Sequence, residues 1–182
     1  MTGKPLIGLS SLSSTMRNLL AFVVLAILLA ESFVSIRASS LTGPVAIVSN
    51  SIDMPTAERM KSVLEAMGFE VRIFSPQEYS EALEYGQFVI VLGGHKAPEG
   101  ISQISSSLLS PEEKSKLERR NYAYYFIKRG PGRKPVVVVA GNDRYGTYRA
   151  ANTFLLKGLK QVDTMLSSPG PVVVIMGSPA GG

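Results

Sequence analysis

At 182 residues and 45% hydrophobic content, the chain can bury one ordinary core and is too short for two large ones. Its formal charge of +5 is scattered without a long basic run, which argues against a nucleic-acid partner. Cysteine is absent, so disulfides, thiolate metal sites and a cysteine nucleophile are excluded, and one histidine, His95, leaves little for a multi-histidine metal site or a Ser-His-Asp apparatus.

Residues 1–18 are small and polar, with Lys4 and Arg17 as their charges. Leu19 to Ala30, LLAFVVLAILLA, is an unbroken apolar run that, behind Arg17, has the shape of a signal-peptide core. Extended through Glu31 to Ile36 it reaches the lower limit for a membrane-spanning helix, and Glu31 lies close enough to the end to snorkel. Ile36-Arg37-Ala38 makes a poor cleavage site. The segment 19–36 is therefore expected to form an N-terminal hydrophobic helix, either a membrane anchor or a signal peptide. Lys4 and Arg17 before it, against Arg37 after it, bias the C-terminal side of the segment toward the outside.

Residues 37–43 read as a linker, and the remainder as an alternation of strands and helices. Val45-Ala46-Ile47-Val48 is a continuous apolar strand ended by Ser49-Asn50-Ser51. Pro55 to Gly68 comes next as a helix, with Asp53 or Thr56 as its cap, Met60, Val63, Leu64 and Met67 on one face, and Gly68 as its stop. Val71 to Phe74 is a second strand, Glu78 to Glu84 a short helix, and Phe88 to Leu92 a third strand closed by Gly93-Gly94-His95. Ala97 to Ser110, rich in Ser, Gly and Pro, reads as irregular. Ser110-Pro111-Glu112-Glu113 starts a helix expected to reach about Arg120.

Tyr122 to Ile127, YAYYFI, is strand-like, and the Gly130-Pro131-Gly132 gap before Val136 is too short for a crossover helix, so these strands should form an antiparallel hairpin. Val136 to Val139 has no alternation, the mark of a strand covered on both faces. After Ala140-Gly141-Asn142-Asp143 the period turns helical through Tyr148, Ala151, Phe154 or Leu155, and Leu159. Val172 to Met176 reads as a last strand, and 179–182 as a frayed tail. Residues 44–178 thus predict an α/β domain: a three-layer, open, mostly parallel sheet with one antiparallel hairpin, Rossmann-like or flavodoxin-like.

In such sheets ligands gather beyond the carboxyl ends of the strands. The loops Ser49–Asp53, Gly93–Lys96 and Gly141–Thr147 occupy that position, and Gly93, Gly94, His95, Gly141, Asn142, Asp143, Arg144 and Thr147 are the candidate ligand-binding residues. The glycine pair permits close backbone approach and can present N–H groups to an anion, or it is simply a tight turn. Asn142 or Asp143 can cap the next helix, whose free N–H groups would otherwise suit a phosphate or carboxylate. Neither G-x-G-x-x-G nor G-x-x-x-x-G-K-[ST] is present, so no nucleotide cofactor is implied. Arg144 can pair with a carboxylate across the sheet end. Glu112, Glu113 and Glu118 are expected to complement a helix dipole, and Lys128, Arg129, Arg133 and Lys134 to flank a solvated turn. No catalytic set and no metal site assembles from these residues.

Three features in fixed order resemble a domain of archaeal surface-layer (S-layer) and related cell-envelope proteins. They are the strand with its double glycine, FVIVLGGHKAPEG, the aromatic strand and turn, NYAYYFIKRGPGRKP, and the valine strand running into a helix, VVVVAGNDRYGTYRAANTFL. His95 stands where a proline often follows the glycines. A D-R-Y-x-T segment is also similar to bacterial cell-wall-binding repeats. The resemblance spans roughly residues 87–158 and implies an extracytoplasmic, cell-surface location, either single-pass anchored through 19–36 or secreted. It implies a non-enzymatic role through contacts with other envelope proteins or with copies of itself. The rival is a small-ligand or anion-binding module using the strand-end loops Gly93–Lys96 and Gly141–Thr147; filling of that crevice by Arg144 and Tyr145 would argue against it. An enzyme would need a base of perturbed pKa there, with Asp143, His95, Asp53 and Ser49 available.

Overall fold

The computed structural model describes residues 41–119 and 123–167. Five strands make one sheet in the order β2-β1-β3-β5-β4. They are β1 (Val45–Val48), β2 (Val71–Phe74), β3 (Phe88–Leu92), β4 (Ala123–Arg129) and β5 (Pro135–Gly141). The first, second, third and fifth run parallel, while β4 pairs antiparallel with β5, from Ala123 opposite Gly141 to Arg129 opposite Pro135. The fold is α/β with a mixed sheet, and the hairpin is the one that the short Gly-Pro-Gly gap requires.

Among the described residues six α-helices flank the sheet: α1 (Met54–Ala66), α2 (Tyr79–Tyr85), α3 (Ile101–Leu108), α4 (Pro111–Leu117), α5 (Arg144–Thr153) and α6 (Leu159–Ser167). A π-helical turn, Phe154–Gly158, joins the last two, and the Phe154 ring lies so close over Gly158 that a Cβ there would stand 2.2 Å from it. Alternate residues of each strand go to opposite faces. Val45, Ile47, Ile90, Val137 and Val139 pack with α1, α5 and α6. On the other face Ala46, Val48, Val89 and Val91 pack with α2 and α3, and Phe126, Val138 and Ala140 with α4. This double covering is why the strands read as unbroken apolar runs: all of Val136 to Val139 is fully buried.

Several expectations are corrected. The 97–110 segment is not irregular, because it contains α3; only Ile101, Ile104, Ser105 and Leu108 carry its inward face, and the intervening serines hide the period. The second helix begins at Tyr79, after a 3-10 turn, Pro76–Glu78, in which the Glu78 carboxylate accepts from Ser75 N–H and Oγ–H, both at 2.8 Å. Ser110 does cap α4, accepting from Glu113 N–H at 3.3 Å, but that helix stops at Leu117.

The basic hairpin is not merely solvated. Lys128 forms an ion pair at 2.6 Å with Glu113, which is itself buried, and the Lys134 ammonium donates to the carbonyls of Leu83, Glu84 and Gly86 at the end of α2. Glu113 is accordingly a structural anion first and a dipole complement second. The segment 19–36, the strand expected at Val172–Met176 and the 179–182 tail lie outside the described residues. Among the described residues no helix is long and apolar enough to cross a membrane.

Candidate functional site

The chain leaves β1 through α1 toward β2, then returns past β1 to place β3 on its other side. This reversal is the topological switch at which open α/β sheets carry a crevice, because the two exit loops diverge there. A cleft of about 480 Å³ opens at this end, lined by the exits of β1, β3 and β5.

Two glycines bring its walls together. Gly93 has φ +114, and a Cβ on it would stand 2.8 Å from Ala97 Cβ and 2.9 Å from Ile101 Cγ2. Its N–H donates to Val139 C=O at 2.9 Å, and its carbonyl accepts from buried Ser105 Oγ at 2.8 Å, so the turn is fastened to both β5 and α3. A Cβ on Gly141 would meet the Gly146 backbone at 2.3 Å; the start of α5 rests directly on the end of β5.

The polar floor comes from the β1 exit. Asn50 and Asp53 are 1% and 5% exposed. The Asn50 Oδ1 accepts from Asp53 N–H at 2.8 Å, which fixes the amide orientation and leaves Nδ2 buried without a partner. Asp53 stands at the start of α1 with no capping bond from its side chain, and its Oδ1 is also buried without a partner. Burial pushes the Asp53 carboxyl up to about 6, against a smaller opposing effect of the Thr147 hydroxyl. A strap holds this exit to the β3 loop: Ser51 N–H and Oγ–H both donate to the Glu99 carboxylate, which they hold below its ordinary range.

His95 closes another side. Its Nε2 lies 3.3 Å from Glu118 Oε1, and Lys96 Nζ lies 2.8 Å from the same oxygen. Lys96 and His95 together hold the Glu118 carboxyl below the ordinary range. With Nε2–H donating to Glu118, Nδ1 is left as an acceptor, buried and without a partner. His95 therefore has a carboxylate beside it that its sequence neighbours do not supply.

Every sequence-predicted site residue, in the 93–96 loop, the 141–144 loop and Thr147, lines this one cleft. Two expectations about them change. Part of the backbone offered to an anion is engaged: Gly93 N–H serves Val139, while Gly146 N–H donates to Asp143 Oδ1 at 2.7 Å and Thr147 N–H to the Asp143 carbonyl. Arg144 does not reach across to a carboxylate but lies over the Tyr145 ring, 5.0 Å from its centroid, and donates to Tyr145 Oη at 3.3 Å. Tyr145 is 65% exposed, so this pair stands at the surface and leaves the cleft open.

Asn50 and Glu118 line the site but are not among the ligand-binding candidates of the sequence; Glu118, expected to complement the dipole of a helix start, stands instead at the C-terminal end of α4. The Asn50-x-x-Asp53 spacing just ahead of Pro55 was the available signal for the first, since such an asparagine turns the chain into a helix. No local signal exists for Glu118, which reaches the cleft from the end of α4. Among the described residues no group of three or more His, Asp or Glu is placed to hold a metal ion. The Ser49 hydroxyl donates to the Asn50 carbonyl, so it is not a free nucleophile beside Asp53. Comparison of the chain with protein-family models and with curated proteins finds no match.

Proposed function

We propose that this chain is an S-layer-like protein of the cell envelope whose α/β domain, flavodoxin-like in three layers, binds a small polar ligand in the strand-end cleft. The observation that carries the reading is the set of buried polar atoms lacking protein partners, Asn50 Nδ2, Asp53 Oδ1 and His95 Nδ1, all on residues lining one open cleft. A buried polar group without a partner costs about 1–3 kcal/mol, and native proteins rarely collect several in one place unless something else satisfies them. Binding without catalysis fits the neighbourhood, because the other acids of the lining are committed, Asp143 to Gly146 N–H and Glu118 to Lys96 and His95.

The envelope location rests on the resemblance over residues 87–158 and on the apolar run before it, which would anchor the chain or direct its secretion. Partners there are the membrane, through 19–36, and neighbouring envelope proteins or further copies. A role through lateral contacts alone is favoured by the exposed apolar side chains Leu156, 83% exposed, and Met67.

Saturation-transfer NMR on the full chain in detergent micelles, against a mixture of neutral polyols, carboxylates, phosphate and amides, separates these readings. Binding by one class, lost on Asn142→Trp, is expected; Asn142 is an exposed residue of the cleft wall, and the indole blocks the opening without touching the core. If no class binds, or if binding survives that substitution, the cleft is not a ligand site and lateral contact becomes the leading role.

A further inference from the structure

Resting on the binding reading above, we propose that the cleft takes an uncharged, hydroxyl-rich ligand of mono- to disaccharide size, with Asn50 and Asp53 as the residues that read a hydroxyl. The unmatched atoms define the chemistry. Asn50 Nδ2 is a donor and needs an acceptor, while Asp53 Oδ1, and His95 Nδ1 in the tautomer whose Nε2–H faces Glu118, need donors. A hydroxyl group both donates and accepts from one atom, so one hydroxyl serves the Asn50–Asp53 pair, and a second on the same ring can serve His95. A carboxylate offers acceptors only and would leave Asp53 unmatched. A phosphate keeps a P–OH that can donate, but it would bring its negative charge beside the carboxylates of Asp53, Asp143 and Glu118. An ammonium offers donors only and would leave Asn50 unmatched.

Charge and shape agree. The cationic side chains of the lining are engaged: Lys96 on Glu118, and Arg144 on Tyr145. The anionic ends of Asp143 and Glu118 are engaged as well, by Gly146 N–H and by Lys96 and His95. The uncommitted groups are directional: an amide donor on Asn50, an imidazole nitrogen on His95 and one carboxyl oxygen on Asp53. About 480 Å³ admits one or two pyranose rings.

The test uses the full chain in micelles and titrates methyl α-D-glucopyranoside, N-acetylglucosamine and maltose, with inorganic phosphate, acetate and methylammonium as comparison probes, monitored by amide chemical shifts. Saccharide binding with shifts at Asn50, Asp53 and Gly94, weakened about tenfold or more in Asp53→Asn, is the expected result. That variant replaces an acceptor by a donor and should fold at least as well as the parent. Asn142→Trp should also abolish the binding. Saccharide binding untouched by either variant would place the contact elsewhere and overturn the assignment. Binding of phosphate, acetate or methylammonium instead, lost on Asn142→Trp, would keep the cleft as a site but overturn its ligand class. Unchanged cleft amides with every probe, as trapped water alone would give, would overturn both readings.

Discussion

Replacing Asp53 by asparagine should make the protein more stable at pH 8, although it removes a residue from the candidate site. The folded carboxyl ionises at about 6 against an ordinary 3.8, because burial removes water from the charged form. At 1.36 kcal/mol per pH unit, the ionised group disfavours the fold by at most about 3 kcal/mol once the pH exceeds 6, and by less to the extent that solvent screens it. Asparagine removes that charge. It also removes a negative group from the N-cap of α1, worth about 0.5–1 kcal/mol of dipole interaction, but no capping bond is lost because the Asp53 side chain makes none. The expected net gain is at most about 2 kcal/mol, or about 1 M in urea midpoint for a domain of this size.

The sign of the pH dependence is fixed by linkage. Between 3.8 and about 6 the folded protein holds a proton on Asp53 that the unfolded chain has released, so wild-type stability falls as pH rises through that window and levels off above it. Below pH 4 both states are protonated, and the advantage of the variant should vanish. Urea unfolding of the full chain in micelles, monitored by far-UV circular dichroism at pH 4, 5, 6 and 8, measures this directly. Subtracting the profile of the variant removes the contributions of the titrating groups that the two proteins share. A variant no more stable than the parent at pH 8, or a difference that does not change with pH, would show that the carboxylate is hydrated or partnered, and the case for an unmatched floor would fail.

Glycine substitutions at Gly93 and Gly68 should separate strain from collision. Gly68→Ala, at φ +92 with open space around it, should lose about 1 kcal/mol, whereas Gly93→Ala, at φ +114 against Ala97 and Ile101, should lose about 3 kcal/mol or more in urea unfolding; equal losses would contradict the packing described. Glu113→Gln should cost about 1–3 kcal/mol by leaving Lys128 half-buried without its anion, and a double-mutant cycle with Lys128→Met should return a coupling above about 1 kcal/mol, additivity being the contrary result. Lys134→Met should expose the α2 amides to faster hydrogen exchange, since the ammonium holds the last carbonyls of that helix; unchanged exchange there would refute the capping role.

Most of the sheet was legible because its inner strands are buried on both faces, which leaves unbroken runs such as Val45–Val48 and Val136–Val139, whereas the edge strand β2 exposes Arg72. The hairpin was legible from a gap too short to cross over. Helix α3 was not, because one of its inward positions is Ser105, whose burial rests on a hydrogen bond to Gly93 rather than on apolar surface. The cleft was legible in outline, since strand ends and glycine turns mark where a crevice forms. Its chemistry was not. Which N–H groups stay free depends on distant partners: Gly93 N–H serves Val139, and Glu118 arrives beside His95 from another helix. No spacing rule carries that information.

A structural explanation of Asp53 has to account for a carboxylate that lacks a capping bond and an ion pair and has one oxygen buried without a partner. Helix starts that need an acidic cap normally use it, as Asp143 does at α5 by accepting from Gly146 N–H at 2.7 Å. The two aspartates sit at corresponding strand-to-helix turns of the same sheet, one satisfied by its own helix and the other not. A residue that lowers stability where asparagine or serine would raise it is the signature of a position held for a contact outside the chain. If Asp53→Asn both raises the urea midpoint at pH 8 and removes ligand binding, that inference stands. If it raises stability and leaves binding intact, Asp53 is a stability defect with no recognition role, and the hydroxyl-reading pair must be sought among His95 and the remaining lining instead.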